Sequence, residues 1–370
     1  MKAGNFNNID RKTRVLVAPL DWGLGHATRC IPIIYALLEQ NCDVFIGAEG
    51  AQKELLQEEF PALSCLHLKG YRVRYSRKKN WLPLKLLLQF PKIISSIYIE
   101  HRWLKRMVKE YRFDAVISDN RFGLYHSTLP SVFITHQLCI KTGSRFSGRM
   151  AQRFNYSFIN KFNACWVPDS AGENNLAGEL SHPVRLPKIP VLYLGPLSRF
   201  KKTCEEKKYD LTVLISGPEP QRSIFEELLL QELEGYKGRC LVARGLPSKS
   251  IDQQINNPAI EIHDHLSTAE LNAAIQSSEM VISRSGYTTV MDLALLQQKA
   301  ILVPTPGQTE QEYLATMLMK KKMFYKAQQE GFSLQDVLKR LTDFSFEFPS
   351  MSQGLFKSAI ENFIRSVKKA

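Results

Sequence analysis

The segment 281–315 constrains the fold most strongly, because it combines two apolar runs, a glycine turn and a helical repeat in a fixed order. Val281-Ile282 end the first run, Arg284-Ser285-Gly286 interrupt it, and residues 300–303 form the second run. Apolar residues recur near helical spacing between the two runs, at Val290, Leu293, Leu295 and Leu296. This order predicts a buried strand, a tight turn, a helix and a second buried strand, followed by an acidic-amide loop.

The predicted turn is also a candidate ligand site. A glycine turn that opens a helix beyond a strand directs free backbone N–H groups and the positive end of the helix dipole at one point, which suits a phosphate. Asp292 lies about two turns into the predicted helix, within reach of a ribose hydroxyl pair. A nucleotide-diphosphate cradle at Gly286 is therefore the leading hypothesis. The alternatives are an ordinary strand–helix turn and a solvated Asp292.

A second glycine loop follows the first predicted strand, residues 14–20. Gly23 and Gly25 allow the backbone to pass close to a ligand, and His26 begins a predicted helix that runs from about residue 28 to residue 40. At a helix N-terminus the dipole lowers the pKa of a histidine and favours its neutral form, as a general base requires. The alternative is a structural histidine that hydrogen-bonds to the backbone.

Strand and helix signals alternate along the whole chain in two series. Strands are predicted at 14–20, 42–47, 115–118, 131–134 and 164–167, and again at 211–215, 238–242, 281–283 and 300–303. A charged stretch at 199–209 separates the series and is the predicted linker. The chain of 370 residues exceeds the usual size of one domain. We therefore expect an α/β fold of two facing Rossmann-like doubly wound domains, 1–198 and 199–370, with a ligand cleft between them.

The segment 281–315 resembles the carboxyl-terminal half of the GT-B glycosyltransferases, and most of all the family of the lipid II-synthesis N-acetylglucosaminyltransferase. That family has the pattern R-S-G-x-x-T-V-x-E, then a V-P strand end and a Q-Q loop. The positions that match are Arg284, Ser285, Gly286, Thr289 and Val290. Asp292 stands where the family has Glu, and Glu310-Gln311 stand where it has two Gln. Glu310 departs from the pattern.

The resemblance implies a donor site on the second domain. It would hold the uracil at Leu266, the ribose at Asp292, and the diphosphate at Ser285, Gly286 and Thr289. The donor sugar would meet Glu310 and Gln311. Two further contacts to the phosphates or nucleotide are expected from loops that follow strands, at Ser216-Gly217 with Arg222, and at Arg244. Two prolines in the first of these loops remove N–H donors, which the charge of Arg222 would replace.

The acceptor side of the cleft offers three candidates for the catalytic base. His26 matches the histidine that ends the family's first glycine loop, and Asp119 and His136 follow predicted strands of the first domain. The loop of residues 135–138 reads T-H-Q-L where the family has H-E-Q-N, so the family's acid is missing. Helix caps and hydrogen bonds at strand ends are the alternative roles of Asp119 and His136.

The net charge of +13 is unevenly distributed. Residues 71–110 contain eleven Lys and Arg against two acids, interleaved with many Leu, Ile and aromatic residues. This mixture favours docking on an anionic membrane surface. A solvated basic helix is the alternative, and nucleic acid is not expected as a partner because no nucleic-acid-binding motif accompanies the charge.

Other features exclude several classes of protein. No apolar run is long enough to span a membrane, and the amino terminus lacks the apolar core of a signal peptide. Seven scattered cysteines without a C-x-x-C pair predict free thiols in a reducing cytoplasm and offer little support for zinc. His263 and His265, which flank Asp264, have poor geometry for binding a metal together.

These observations together predict an inverting glycosyltransferase. It would move an N-acetylhexosamine or hexose from a UDP-sugar to an acceptor hydroxyl, lipid-linked or amphipathic, without a metal cofactor. The enzyme would be cytoplasmic and peripheral on the inner face of the cell membrane. Two alternatives remain. G-x-G-H-x-x-R also resembles the UDP-sugar hydrolase of pseudaminic acid synthesis, and the charge alone fits a non-enzymatic protein that binds anionic surfaces.

Overall fold

The structure, a computed structural model, describes part of the chain. The described residues are 11–72, 82–141, 145–246, 256–351 and 354–369, with 82–90 and 145–146 described by their backbone only. Two parallel sheets account for all thirteen strands of this part of the chain, with helices between the strands. The predicted fold class, two Rossmann-like units of the GT-B type, is confirmed.

The first sheet has seven strands in the order β3-β2-β1-β4-β5-β6-β7. The strands are β1 (Arg14–Pro19), β2 (Asp43–Ala48), β3 (Ser64–His67), β4 (Ala115–Asp119), β5 (Ser131–Ile134), β6 (Ala164–Val167) and β7 (Val191–Tyr193). Its helices are α1 (Leu24–Glu39), α2 (Gly50–Glu59), α3 (Leu82–Tyr111) and α4 (Arg145–Ile159). The central strands are buried along nearly their whole length, because helices cover both faces of a parallel sheet.

The second sheet has six strands in the order β10-β9-β8-β11-β12-β13. The strands are β8 (Tyr209–Leu214), β9 (Cys240–Ala243), β10 (Ile260–His263), β11 (Ser278–Ser283), β12 (Ala300–Leu302) and β13 (Tyr325–Lys326). Its helices are α5 (Gln221–Glu234), α6 (Thr268–Gln276), α7 (Tyr287–Leu296), α8 (Thr309–Lys320) and α9 (Leu334–Leu341). A last helix, α10 (Leu355–Lys369), ends the chain.

Several predicted boundaries were wrong by a few residues, among them the start of β8, which is Tyr209 rather than 211. Helix α1 begins at Leu24, because only Gly23 adopts a positive φ, of 94°, and Gly25 and His26 are already helical. Strand β11 begins at Ser278 rather than 281, since the buried Ser278 pairs with Tyr209 of β8 and its polarity hides the strand in the sequence. Strand β9 begins at Cys240 rather than 238.

The strand order reverses direction between β1 and β4 in the first sheet and between β8 and β11 in the second. Loops that leave strands at such a reversal diverge to opposite sides and open a crevice, where ligands of α/β proteins bind. The two glycine turns predicted as functional, at Gly23 and Gly286, follow β1 and β11. Both therefore lie at a reversal point.

The charged stretch predicted as a linker lies between the two sheets, and β8 begins at its end. Helix α10 packs against the first sheet's side of the molecule: Lys357 forms an ion pair with Glu39 of α1, and the Phe363 ring meets Trp166 of β6 edge-on. The division into 1–198 and 199–370 stays a prediction. All seven cysteines are free, and Cys30, Cys42, Cys165 and Cys240 are buried.

Candidate active site

The three candidates for the catalytic base converge at the carboxyl edge of the first sheet. His26 lies in the first turn of α1, Asp119 is the last residue of β4, and His136 lies just beyond β5. Asp119 pairs in register with Pro19 of β1 on one side and Ile134 of β5 on the other. Three adjacent parallel strands thus deliver these side chains to one place.

Arg29 connects them, and sequence reasoning gave it no role. Its guanidinium holds the Asp119 carboxylate with two hydrogen bonds, one of them from Nε to Oδ2 at 2.7 Å. Nη1 donates to Nδ1 of His136 at 3.2 Å, and Nη2 lies 2.8 Å from Nδ1 of His26. The available signal was spacing, because Arg29 lies three residues after His26 and so on the same face of α1.

The ring of His26 has two possible hydrogen-bonding states. In the first state Nδ1 carries a proton and donates it to Oδ2 of Asp119, 3.2 Å away. In the second state Nδ1 carries a lone pair and accepts a hydrogen bond from Arg29. Only the first state leaves a lone pair on Nε2. The His26 side chain is 15% exposed while Asp119 is fully buried, so His26 is the group that a substrate can reach.

Burial and charge set the protonation of these groups. Burial lowers the pKa of His26, the Arg29 charge lowers it further, and Asp119 only partly offsets both. Burial alone would raise the pKa of Asp119, but Arg29 and His26 outweigh it and lower that pKa to about 2. At neutral pH the site therefore contains an ionised Asp119 and a neutral His26, which is the form that accepts a proton.

The unit built on the second sheet, called the second unit below, reaches this cluster through Glu310, in the first turn of α8. Its Oε1 lies 2.7 Å from Nε2 of His136, and its Oε2 accepts a hydrogen bond from the side chain of Gln137. The His136 ring also stacks on Tyr287 of α7, with centroids 4.2 Å apart. The cleft between the two sheets is thus bridged at the cluster.

The predicted diphosphate corner adjoins the same place. Gly286 is the N-cap of α7, and a Cβ at Gly286 would meet no atom within 4 Å, so open space lies beside it. Thr288 Oγ1 donates to the carbonyl of Gly25 at 3.0 Å, so the first turn of α1, which carries His26, touches the first turn of α7. Thr289 is half-buried, and the buried hydroxyl of Ser285 donates to the Gln311 carbonyl at 2.9 Å.

Asp292 lies on α7 but is turned toward the segment between the sheets. It is buried, and it accepts a hydrogen bond from the Ser198 hydroxyl. Burial raises its pKa to about 7, against the opposing effects of Ser198 and of the neighbouring Arg199 charge. Burial makes this carboxylate costly to ionise, which fits a binding role. Ribose contact at Asp292 stays a prediction. A bound ribose would share the carboxylate with the hydroxyl of Ser198 or replace that hydroxyl.

The two predicted cationic contacts are turned inward. Arg222 and Arg244 both pair with the buried Glu226, Arg222 Nη1 at 3.0 Å from Oε2, and Arg244 also pairs with Asp264. Their guanidinium groups therefore bind protein carboxylates in this structure. Ser216 and Gly217 are exposed, and a Cβ at Gly217 would meet open space.

Arg284 is a buried cation that sequence reasoning treated only as a motif match. Its guanidinium lies over the Phe225 ring at 3.9 Å and donates to the carbonyls of Val303 and Gln221 at 3.2 and 3.1 Å. Burial lowers its pKa to about 9. Arg284 thereby ties together the loops that follow β8, β11 and β12.

The remaining residues predicted to bind the UDP-sugar are held in place by local contacts. Leu266 is half-buried and precedes Ser267, whose side chain caps α6 in a reciprocal capping box with Glu270. Gln311 is buried, and its side-chain oxygen accepts the N–H of Thr305 at 2.8 Å. Both uracil contact at Leu266 and sugar contact at Gln311 stay predictions.

The predicted membrane segment, 71–110, lies only partly within the described residues. Residues 73–81 lie outside the described residues, and α3 is described with its side chains from residue 91 onward. On that part, Tyr98 and Ile99 are exposed apolar residues. No described helix is long and apolar enough to cross a membrane. Within the described ranges, no three His, Cys, Asp or Glu side chains are grouped to hold a metal ion.

Comparisons with known proteins agree with this geometry. Residues 239–366 match the glycosyltransferase family 28 C-terminal domain. The UDP-N-acetylglucosamine--N-acetylmuramyl-(pentapeptide) pyrophosphoryl-undecaprenol N-acetylglucosamine transferase of Clostridium tetani is 22% identical over 368 residues, 93% of this chain and 95% of that protein. Among solved structures, a glycotransferase of kitacinnamycin has a TM-score of 0.63 at 11% identity, covering 97% of this chain and 95% of the other. The MurG of Acinetobacter baumannii has a TM-score of 0.52 at 13% identity, covering 97% and 100%.

The paired parallel sheets and the bridged cleft between them form the GT-B architecture, and the match to the glycosyltransferase family 28 C-terminal domain identifies the chain as a glycosyltransferase of that fold. Within that class, the chain is similar to the enzymes of lipid II synthesis, in residues 239–366 and, to the clostridial transferase, over 93% of its length. This assignment replaces the alternative of a non-enzymatic protein that binds anionic surfaces.

Proposed function

We propose that this enzyme transfers a sugar from a UDP-sugar to an acceptor hydroxyl with inversion, and that His26 is its general base. The observation that carries the proposal is the contact between Thr288 and the Gly25 carbonyl. It places a neutral, partly exposed histidine beside an open helix N-terminus that suits a diphosphate. The proposed base and the proposed leaving-group site thus adjoin each other.

In the proposed reaction the acceptor hydroxyl gives its proton to Nε2 of His26 while its oxygen attacks the anomeric carbon. The bond from that carbon to the diphosphate oxygen breaks on the opposite face, and the electron pair leaves with UDP. A single displacement of this kind inverts the anomeric configuration. Asp119 holds the proton on Nδ1 of His26 and stabilises the imidazolium that forms.

The departing diphosphate gains negative charge as the bond breaks. The backbone N–H groups at Gly286 and the N-terminus of α7 are fixed in place, so they stabilise this charge without reorganising. The proposal therefore requires no divalent ion. Uracil would contact Leu266, and the ribose Asp292. Glu310 and Gln311 would contact the sugar, an N-acetylhexosamine or a hexose. The name of the clostridial relative, a UDP-N-acetylglucosamine transferase, supports this class of donor.

The acceptor is proposed to be lipid-linked or amphipathic, and the enzyme to be cytoplasmic and peripheral on the inner face of the membrane. Two observations support this. The clostridial relative is named for an undecaprenol-linked acceptor. In addition, the visible part of α3 carries exposed Tyr98 and Ile99 among basic residues.

A UDP-sugar hydrolase remains a second candidate, because Arg29 of the G-x-G-H-x-x-R motif lies at the centre of the catalytic cluster. Water would then take the place of the acceptor hydroxyl at His26.

The test is to measure UDP release and sugar transfer with a panel of UDP-sugars, with and without a polyprenyl-diphosphate-linked acceptor. We expect stabilisation by UDP in thermal unfolding, and a sugar–lipid product of inverted configuration. Free sugar that the acceptor never suppresses would favour the hydrolase. No thermal shift at about millimolar UDP would contradict both.

A further inference from the structure

Two departures from the family pattern lie on opposite sides of the cleft. On the acceptor side, the loop that follows β5 has His136 where the H-E-Q-N pattern has its acid. On the donor side, α8 has Glu310 where the pattern has an amide. The chain has thus lost a carboxylate on one side and gained one on the other.

The structure brings the two departures into direct contact. Nε2 of His136 lies 2.7 Å from one oxygen of Glu310, and Gln137, the next residue of the same loop, donates to the other oxygen. The loop is itself held in place, because the backbone N–H of Gln137 donates to Thr135 Oγ1 at 3.0 Å and its carbonyl accepts from Asn155 at 3.0 Å. Both oxygens of the carboxylate are therefore matched to donors of the acceptor loop.

We propose that these departures compensate each other: Glu310 supplies from the donor side the acid that the acceptor loop lacks, and acts on the catalytic base through His136 and Arg29. Glu310 is then a positioning residue, and the inference rests on the proposed function of His26. Glu310 lies on α8 of the second unit and His26 on α1 of the first, so the catalytic arrangement is complete only when the cleft is bridged.

The hydrogen-bond directions support this connection. Arg29 can only donate, so Nδ1 of His136 accepts its hydrogen bond and Nε2 of the ring donates to Glu310. Arg29 at the same time holds Asp119, which faces His26. A continuous series of hydrogen bonds thus joins Glu310 to the group that orients the base.

The charges around Glu310 agree with this role. Burial would raise the pKa of its carboxyl, but His136, with smaller contributions from His26 and Arg29, outweighs burial and lowers that pKa. The ionised carboxylate offsets the guanidinium charge in a cluster where Asp119 is the other acid. A glutamine at position 310 would keep the shape and lose this charge.

An exchange of the two side chains tests the proposal. The variants are Glu310→Gln, His136→Glu and the double variant His136→Glu/Glu310→Gln, which restores the family's arrangement of acid and amide. We expect kcat to fall about 100-fold in Glu310→Gln, with the Kd of UDP within about twofold of the wild type. His136→Glu should lose more, because two carboxylates then face each other. The double variant should recover at least about tenfold over His136→Glu. Glu330→Gln, an exposed acid, is the matched control.

A second readout separates positioning from simple structural support. Glu310→Ala should regain part of its kcat when formate is added, and its kcat against pH should show a shifted acidic limb, since the charge near His26 has changed. Losses that multiply in the double variant would overturn the proposal. A Glu310→Gln effect confined to the KM and choice of donor sugar would also overturn it, and would leave the sugar contact as the whole role of Glu310.

Unfolding of the four proteins in urea keeps the result independent of activity. Coupling between positions 136 and 310 should appear there as non-additive midpoints. If the wild type binds no UDP, the proposed function fails while this cycle still reports whether the pair is coupled. Additive midpoints together with normal UDP turnover would contradict the pair alone.

Discussion

The two sheets share a topology, but the loops at their reversal points differ in chemistry. After β1 and β4 the first sheet presents ionisable side chains, with His26, Asp119 and Arg29 in one hydrogen-bonded cluster. After β8 and β11 the second sheet presents glycine, serine and an open helix N-terminus, and its nearby arginines are paired internally. In the proposed function, proton transfer is thus a task for the first unit, and binding of the diphosphate a task for the second.

Removing the proposed base tests this division of tasks most directly. His26→Ala should reduce kcat by about 10²- to 10⁴-fold, the range of general base catalysis, while the Kd of UDP changes little. Steady-state kinetics and calorimetric titration of UDP measure the two quantities. A variant within a few fold of wild-type kcat would exclude His26 as the base, and an equal loss of UDP affinity would show that the two tasks are not separated.

At the phosphate corner we expect the opposite result, in which the affinity for UDP is lost. Gly286→Val should fold normally, because Gly286 has an ordinary φ of −67° and its Cβ would point into open space. The side chain would then occupy the proposed diphosphate position and weaken UDP binding about 10- to 100-fold. Gly235→Val is the control, at a position where a Cβ also meets open space but on the C-cap of α5. An unchanged Kd would remove the cradle.

The cluster around His26 and the phosphate corner at Gly286 differ in how much of each the sequence could reveal. The strand–turn–helix order around Gly286 and the Gly23 loop follow from local patterns of glycine and apolar residues, so the fold was predictable. The pairing of Asp119 with Arg29 was not, because the two residues are distant in sequence and meet only through sheet order. For the same reason, the inward pairing of Arg222 and Arg244 with Glu226 was not visible in a linear pattern.

Asp292 tests whether the second unit contains a group maintained for binding rather than for stability. Its pKa is raised from 3.8 to about 7, so the folded protein keeps a proton on Asp292 that the unfolded chain releases. The stability that this proton contributes is fully present below pH about 4, decreases as the pH rises, and is lost above pH about 7. The shift corresponds to at most about 4 kcal/mol. Asp292→Asn should therefore raise the free energy of unfolding by about 1–2 kcal/mol at pH 8, and by less at pH 5.

The same variant should bind UDP about tenfold more weakly at pH 8, because an amide accepts fewer hydrogen bonds from a ribose diol. Urea unfolding at the two pH values and calorimetric titration provide the measurements. Greater stability with unchanged UDP affinity would remove the ribose role of Asp292. A loss of stability at pH 8 would contradict the raised pKa.

Membrane docking belongs to the first unit alone in the proposed function, and the effect of changing it is expected to be small. Tyr98 is 65% exposed on α3, within the basic and apolar segment 71–110. Tyr98→Ser should weaken flotation with anionic liposomes about three- to tenfold, and higher salt should weaken it further because the electrostatic part is screened. Val184→Ser is the matched control, since Val184 is fully exposed outside this segment. Equal losses in both variants would mean that exposed apolar area, rather than α3, determines binding, and flotation that salt does not change would argue against an anionic surface as the partner.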